Sequence, residues 1–150
     1  MARFRYRMQN ILNLKYKLEE QEKMNFALMR AKLTEEEEAL AALNSRRAEI
    51  AEEGIRMRND KIDILKIKEN TALASYYDDQ IRLQKVKVAT ASKNLENARL
   101  RMQNAIQERK IHEKLRENAF DKFMKEEALN EAKEIDQLTS YTYGQKKTEV

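Results

Sequence analysis

Proline does not occur in these 150 residues, and glycine occurs only at Gly54 and Gly144. Without proline, nothing in the chain forces backbone hydrogen bonding to stop. Two glycines cannot furnish the turns of a multi-stranded sheet, nor a phosphate-binding or dinucleotide-binding loop. Cysteine is absent as well, which removes disulfides, thiolate metal sites and a cysteine nucleophile. Charged residues make up 37% of the chain and hydrophobic ones 41%, the balance of a long helix or coiled coil. A net charge of only +4, with Leu, Ile and Met at regular spacing, argues against disorder. The expected class is all-α.

Heptad spacing runs through the apolar residues. One series is Phe4, Ile11 and Leu18, and a second takes over one residue out of step as Phe26, Leu33 and Leu40. Met29, Leu43, Ile50 and Met57 fall at the companion positions. Later, Ile81, Val88, Leu95 and Met102 repeat every seven residues beside Ala91, Ala98 and Ala105. So narrow a stripe suits a coiled-coil seam better than a face buried in a globule.

Two such stripes in one chain predict an antiparallel coiled-coil hairpin of two long helices. Setting Phe26 opposite Leu95, Leu33 opposite Val88, Leu40 opposite Ile81 and Met57 opposite Ile64 puts the centre between Asp60 and Lys61. The turn is therefore expected near residues 57–63, around Asn59 to Ile62, with Gly54 a helical glycine costing about 1 kcal/mol against alanine. In this register residue 4 pairs near 117, so the second helix overhangs, and residues 118–138 are expected to lack a partner within the chain. That stretch is amphipathic through Phe120, Phe123, Met124, Ala128, Ile135 and Leu138, a pattern that awaits an external partner. Residues 1–140 read as a single rod, and 141–150 as a flexible C-terminal tail.

Charge is uneven along the chain. Arg3, Arg5, Arg7, Lys15 and Lys17 precede any acid, whereas Glu35 to Glu38 form an acidic block expected to face the Lys85 region. His112 is the lone histidine, with no second ligand and no serine beside it, so it reads as a seam or surface residue. The carboxylates sit among lysines on helices, which lack the concave site a hydrolase dyad needs. The chain is therefore expected not to be an enzyme and to need no cofactor or metal. Acids interrupt the basic stretches, so nucleic acid is not an expected partner despite a pI of 9.2. The longest uncharged run, Gln137 to Gln145, is polar, and no signal-peptide core follows the N-terminal arginines; a cytoplasmic protein without direct membrane insertion is expected. Tyr76 and Tyr77, shortly after the turn, read as a seam cap and as a partner-binding aromatic.

Three segments carry a family likeness. FRYRMQNILNLK (4–15) resembles the opening of the flagellar type III export protein FliJ, and EKLRENAFDKFMKEEALNEAKEID (113–136) looks like that family's C-terminal signature. The step Leu73, Tyr77, Ile81, the length and the hairpin fit as well.

The resemblance implies a stalk-like component of the flagellar protein export apparatus that serves flagellum assembly, motility and, with it, chemotaxis. It implies association with the export ATPase FliI, promotion of its ring assembly, coupling to the export gate FlhA, and cycling of export chaperones. Gate contact would fall on Leu73, Tyr77, Gln80 and Gln84 of the second helix, with Leu73 standing where some relatives have an aromatic. Its first-helix part would lie around Leu40, Leu43 and Arg47. By the same analogy the ATPase would take Arg3, Arg5 and Arg7 with Phe120, Phe123, Met124 and Ile135. The expected location is cytoplasmic, peripheral to the cell membrane at the flagellar base, and the free chain is expected to be a monomeric rod. The alternatives are a prefoldin-like coiled-coil chaperone and a structural coiled-coil filament.

Overall fold

The computed structural model describes residues 2–148. Two helices, α1 (Gln9–Asn59) and α2 (Ile64–Thr148), pack against each other as an antiparallel hairpin, and no strand occurs among the described residues. The connection, residues 60–63, falls inside the span that the seam predicts. No described residue has a positive φ. The reversal therefore needs no left-handed glycine, which is how so glycine-poor a chain can turn. Asp63 caps α2: its Oδ1 accepts from the Leu65 and Lys66 amides at 3.1 and 3.4 Å, satisfying N–H groups that have no carbonyl within the helix. Helix α2 continues through 141–148, part of the stretch read from sequence as a tail, whose residues 149–150 lie outside the described residues.

The chain divides into two compact units. A turn unit spans Glu20–Asn104, and a terminal unit combines the residues up to Glu19 with those from Ala105 on. In the turn unit, α1 presents Phe26, Met29, Leu33, Leu40, Leu43, Ile50 and Met57 to the seam. Helix α2 presents Ile67, Ala74, Ile81, Val88, Leu95 and Met102, with Ala91 and Ala98 buried beside them. Ile50 is fully buried, and removing that side chain from water stabilises the fold by about 2–3 kcal/mol.

Polar residues occupy heptad positions as well. Gln84 is buried and donates through Nε2 to the Glu36 carbonyl at 3.0 Å and to its carboxylate at 2.5 Å. Asn70 donates to the Ile50 carbonyl at 3.0 Å. Both pairs centre on Asp60, close to the register read from the apolar stripes. Glu36 of the acidic block faces the Lys85 region as expected, meeting Gln84 across the seam with Lys87 acting on its carboxylate, and it also pairs with Lys32 on its own helix at 3.1 Å. Gly54 is helical, as expected, but it is more than tolerated. A Cβ there would meet Asn70 Oδ1 at 2.7 Å, so the close approach of Asn70 requires the missing side chain.

The start of α1 corrects the predicted seam. Leu12 is buried whereas Ile11 is 40% exposed, and Glu19, not Leu18, takes the next buried position. The repeat therefore runs back from Phe26 to Glu19 and Leu12 without the one-residue offset. Apolar counting missed it because the position holds a glutamate, whose burial is made possible by Arg109: Nε donates to Glu19 Oε2 at 2.6 Å and Nη2 to Oε1 at 3.4 Å.

Candidate functional site

Two surfaces hold the residues singled out from the sequence. On the turn unit, the adjacent tyrosines divide their roles. Tyr77 lies half-buried on the heptad position and Tyr76 stands 55% exposed, their rings perpendicular with centroids 5.4 Å apart. Leu73 is exposed and Gln80 half-buried. Gln84 points into the seam, and Leu40 and Leu43 are half-buried heptad residues. Arg47 donates to Asp78 at 2.8 Å, which holds the Asp78 carboxyl below its ordinary range. A partner approaching this face from solvent meets Leu73, Tyr76 and the outer edges of Tyr77 and Gln80. Tyr77 was legible as the seam residue from its four-residue spacing to Ile81.

In the terminal unit, residues 2–6 precede α1 without helical structure and lie along α2. The Phe4 ring meets Phe120 edge-on at 5.2 Å and Phe123 at 5.4 Å, and the Arg116 guanidinium sits 5.7 Å from its centre. Phe4, Tyr6 and Met8 with Ala119 and Phe123 line a shallow apolar depression bordered by Arg5, Arg7, Lys122 and Glu126. Arg3, Arg5 and Arg7 are exposed, as are Met124 and Ile135.

This arrangement corrects the expected overhang. Phe120 and Phe123 are not without a partner, because the Phe4 ring packs against both. The overhang expected from the register holds only if residues 2–8 advance at helical rise. Extended chain advances more than twice as far per residue, about 3.3 Å against 1.5 Å, and so reaches further along α2. The uncovered part of α2 begins at Ala128: every side chain described from there to Lys146 is exposed, including Leu129, Ile135, Leu138 and Tyr141.

Below this surface a polar cluster joins the helices. Lys15 pairs with Glu108 at 2.7 Å, the Tyr16 hydroxyl donates to Glu113 at 2.5 Å, Arg109 bridges Glu19 and Glu113, and Arg116 donates to Gln9 at 2.9 Å. His112 lies half-buried at a heptad position of α2, its Nδ1 without a hydrogen-bond partner. Among the described residues no group of three His, Cys, Asp or Glu side chains is placed to hold a metal ion. Lys15 lowers the Glu108 pKa, and the Tyr16 hydroxyl, followed by Arg109, lowers that of Glu113. Gln84 and Lys32 lower Glu36, and Arg99 lowers Glu96.

Depressed carboxyl pKa values contribute stability that is present above the unfolded-state value near 4 and is lost as pH falls through the folded value. The thermal midpoint, followed by circular dichroism, is therefore expected to fall between about pH 5 and pH 2 and to stay level from about pH 6 to pH 9. Tyr16 and Lys32 have raised values through Glu113 and Glu36, so their contributions are complete below about pH 10 and fade above it. A midpoint unchanged at about pH 3 would show that these pairs add nothing to the fold.

A family model for the flagellar FliJ protein matches residues 4–148. The chain belongs to the flagellar FliJ protein family. A solved structure of a candidate YscO homologue, CT670, from Chlamydia trachomatis is 25% identical, with a TM-score of 0.84, and the alignment covers 99% of this chain and 100% of that one. The search of curated proteins finds no match. The FliJ match spans both surfaces, from Phe4 on the terminal unit through Tyr77 to the exposed end of α2. The chain is thus a component of flagellar or related type III export.

Proposed function

We propose that this FliJ-family chain works as a non-catalytic coupling element of export, a stalk-like coiled coil that binds the FliI ATPase and promotes its ring assembly. In this reading it links the ring to the export gate FlhA and cycles export chaperones, acting in the cytoplasm at the membrane-proximal base of the flagellum. The observation that carries the reading is the uncovered end of α2, an amphipathic helix with Leu129, Ile135, Leu138 and Tyr141 exposed. A long helix that leaves so much apolar surface uncovered has a partner to receive it. Arg3, Arg5 and Arg7 steer encounter with acidic residues of that partner, and Phe120, Phe123 and Met124 lend the adjoining apolar face. Gate contact runs through Leu73, Tyr76, Tyr77 and Gln80, while Leu40, Leu43 and Gln84 hold that face in place from within the seam.

Native mass spectrometry of the chain mixed with purified export ATPase and nucleotide tests the proposal. The expected species is one copy of this chain on six ATPase subunits, with ATP hydrolysis raised several-fold. Absence of both complex and stimulation would sink it. Suppression of aggregation of unfolded clients without any ATPase contact would favour the prefoldin-like chaperone, and self-assembly into long polymers the structural filament.

A further inference from the structure

The turn carries more exposed apolar surface and more positive charge than the hairpin uses. Ile62 in the connection is 70% exposed, Ile64 and Leu65 at the start of α2 are each 67% exposed, and Ile55 near the end of α1 is also exposed. Between residues 55 and 68 the cations are Arg56, Arg58, Lys61, Lys66 and Lys68, facing only Asp60 and Asp63, and all seven are exposed. The fold explains part of this set. Arg56 and Arg58 lie in the last turn of α1, where its dipole is negative, and Asp63 is engaged as the cap of α2. Lys66 runs the other way. It stands in the first turn of a helix with no acid there, where the positive end of the dipole disfavours it. Exposed aliphatics and a cation placed against the helix field are local choices the fold does not reward, which points to an external use.

We propose that the turn is a docking surface for an anionic lipid bilayer. Ile62, Ile64 and Leu65 form a wedge that enters the boundary between headgroups and acyl chains, and the lysines and arginines engage headgroup phosphates while their aliphatic stems lie along the wedge. The turn of a two-helix hairpin is convex, and its protruding aliphatics suit a fluid surface that needs no matching pocket. Among the same residues, a shallow polar depression lined by Arg56, Met57, Asp60, Lys61, Asp63 and Lys66 gives a phosphate several donors. Seating of this kind is interfacial. It requires no spanning segment, and among the described residues no helix is long and apolar enough to cross a membrane. It goes beyond the sequence expectation of no direct membrane insertion and stands independently of the ATPase and gate reading.

Co-sedimentation of the full-length chain with vesicles tests it. Vesicles of phosphatidylcholine with about 30% phosphatidylglycerol are expected to bind at least about tenfold more protein than phosphatidylcholine alone, and binding should fall sharply between about 0.1 M and 0.5 M salt. Combined Ile62→Ser, Ile64→Ser and Leu65→Ser should lower binding at least about tenfold, with helicity unchanged because these side chains are exposed. Combined Lys61→Gln, Lys66→Gln and Lys68→Gln should do the same on anionic vesicles only. Failure of the wild-type chain to bind anionic vesicles overturns the proposal, as does equal binding by the serine variant. Loss of an acidic protein partner by these variants, with the wild type ignoring vesicles, would assign the turn to a protein instead.

Discussion

Ile50→Asp is expected to lower the thermal midpoint of the hairpin by more than about 10 °C, while Ile55→Asp, on the same helix, moves it by no more than about 3 °C. The two positions share chemistry and helix, and differ in burial. Ile50 is fully buried and Ile55 is 58% exposed. At position 50 the substitution removes about 2–3 kcal/mol of apolar burial and adds a carboxylate that must either stay desolvated or force the helices apart. The neighbouring donor is already committed, since Asn70 gives its amide to the Ile50 carbonyl. Each kcal/mol corresponds to about 2–4 °C in a chain of this size, so a loss of several kcal/mol gives a drop of that order. At position 55 the carboxylate remains in water. Circular dichroism melts of both variants check the pair. Equal shifts would mean that the seam does not pass through Ile50.

What the sequence made legible follows from where apolar residues alone mark the seam. Around Leu33, Leu40, Ile81, Val88 and Leu95 the apolar steps outnumber the polar pair Glu36 and Gln84, and there the predicted turn agrees with the hairpin and the register lies close to it. The reading failed at the start of α1, where a buried glutamate takes the heptad position and an apolar residue lies one step before it. Glu19 is invisible to a hydrophobic pattern until its partner Arg109 is known, and Ile11 and Leu18, one residue earlier in each turn, offered a plausible substitute stripe. Asn70 facing Gly54 is a second case. A glycine in a helix looks like a local cost until a side chain from the other helix is seen to occupy its space. The Phe4 contact failed to appear for a different reason. Pairing arithmetic assumes one rise per residue, and residues 2–6 do not follow it. At the candidate surfaces, Tyr77 lies half-buried and Leu73 exposed, whereas Phe120 and Phe123 are in contact with the chain's own N-terminal segment.

That contact decides how the uncovered end of α2 must be tested. Truncation after Glu117 removes Phe120 and Phe123 and leaves Phe4 and Tyr6 without their apolar floor. Aromatic pairs of this kind contribute about 0.5–1.5 kcal/mol each beyond the area they bury, so the terminal unit would loosen and a loss of activity would have two explanations. Truncation after Ala128 separates them. It keeps Phe120, Phe123 and the polar cluster around Arg109, and removes residues whose described side chains are all exposed. The shortened chain should melt within about 3 °C of the full-length protein, since exposed positions contribute little to stability. If the α2 end is the grip on the export ATPase, stimulation of hydrolysis should nevertheless fall at least about tenfold, the loss expected when an apolar anchor of a few kcal/mol is removed from an interface. Raising salt should weaken the full-length complex through Arg3, Arg5 and Arg7, and should not restore the truncated one, because screening acts on the steering charges and not on the missing apolar contact. Undiminished stimulation by the chain ending at Ala128 would move the grip onto the Phe4, Phe120 and Phe123 face, where Phe120→Ala at an exposed edge of that cluster becomes the next variant to measure.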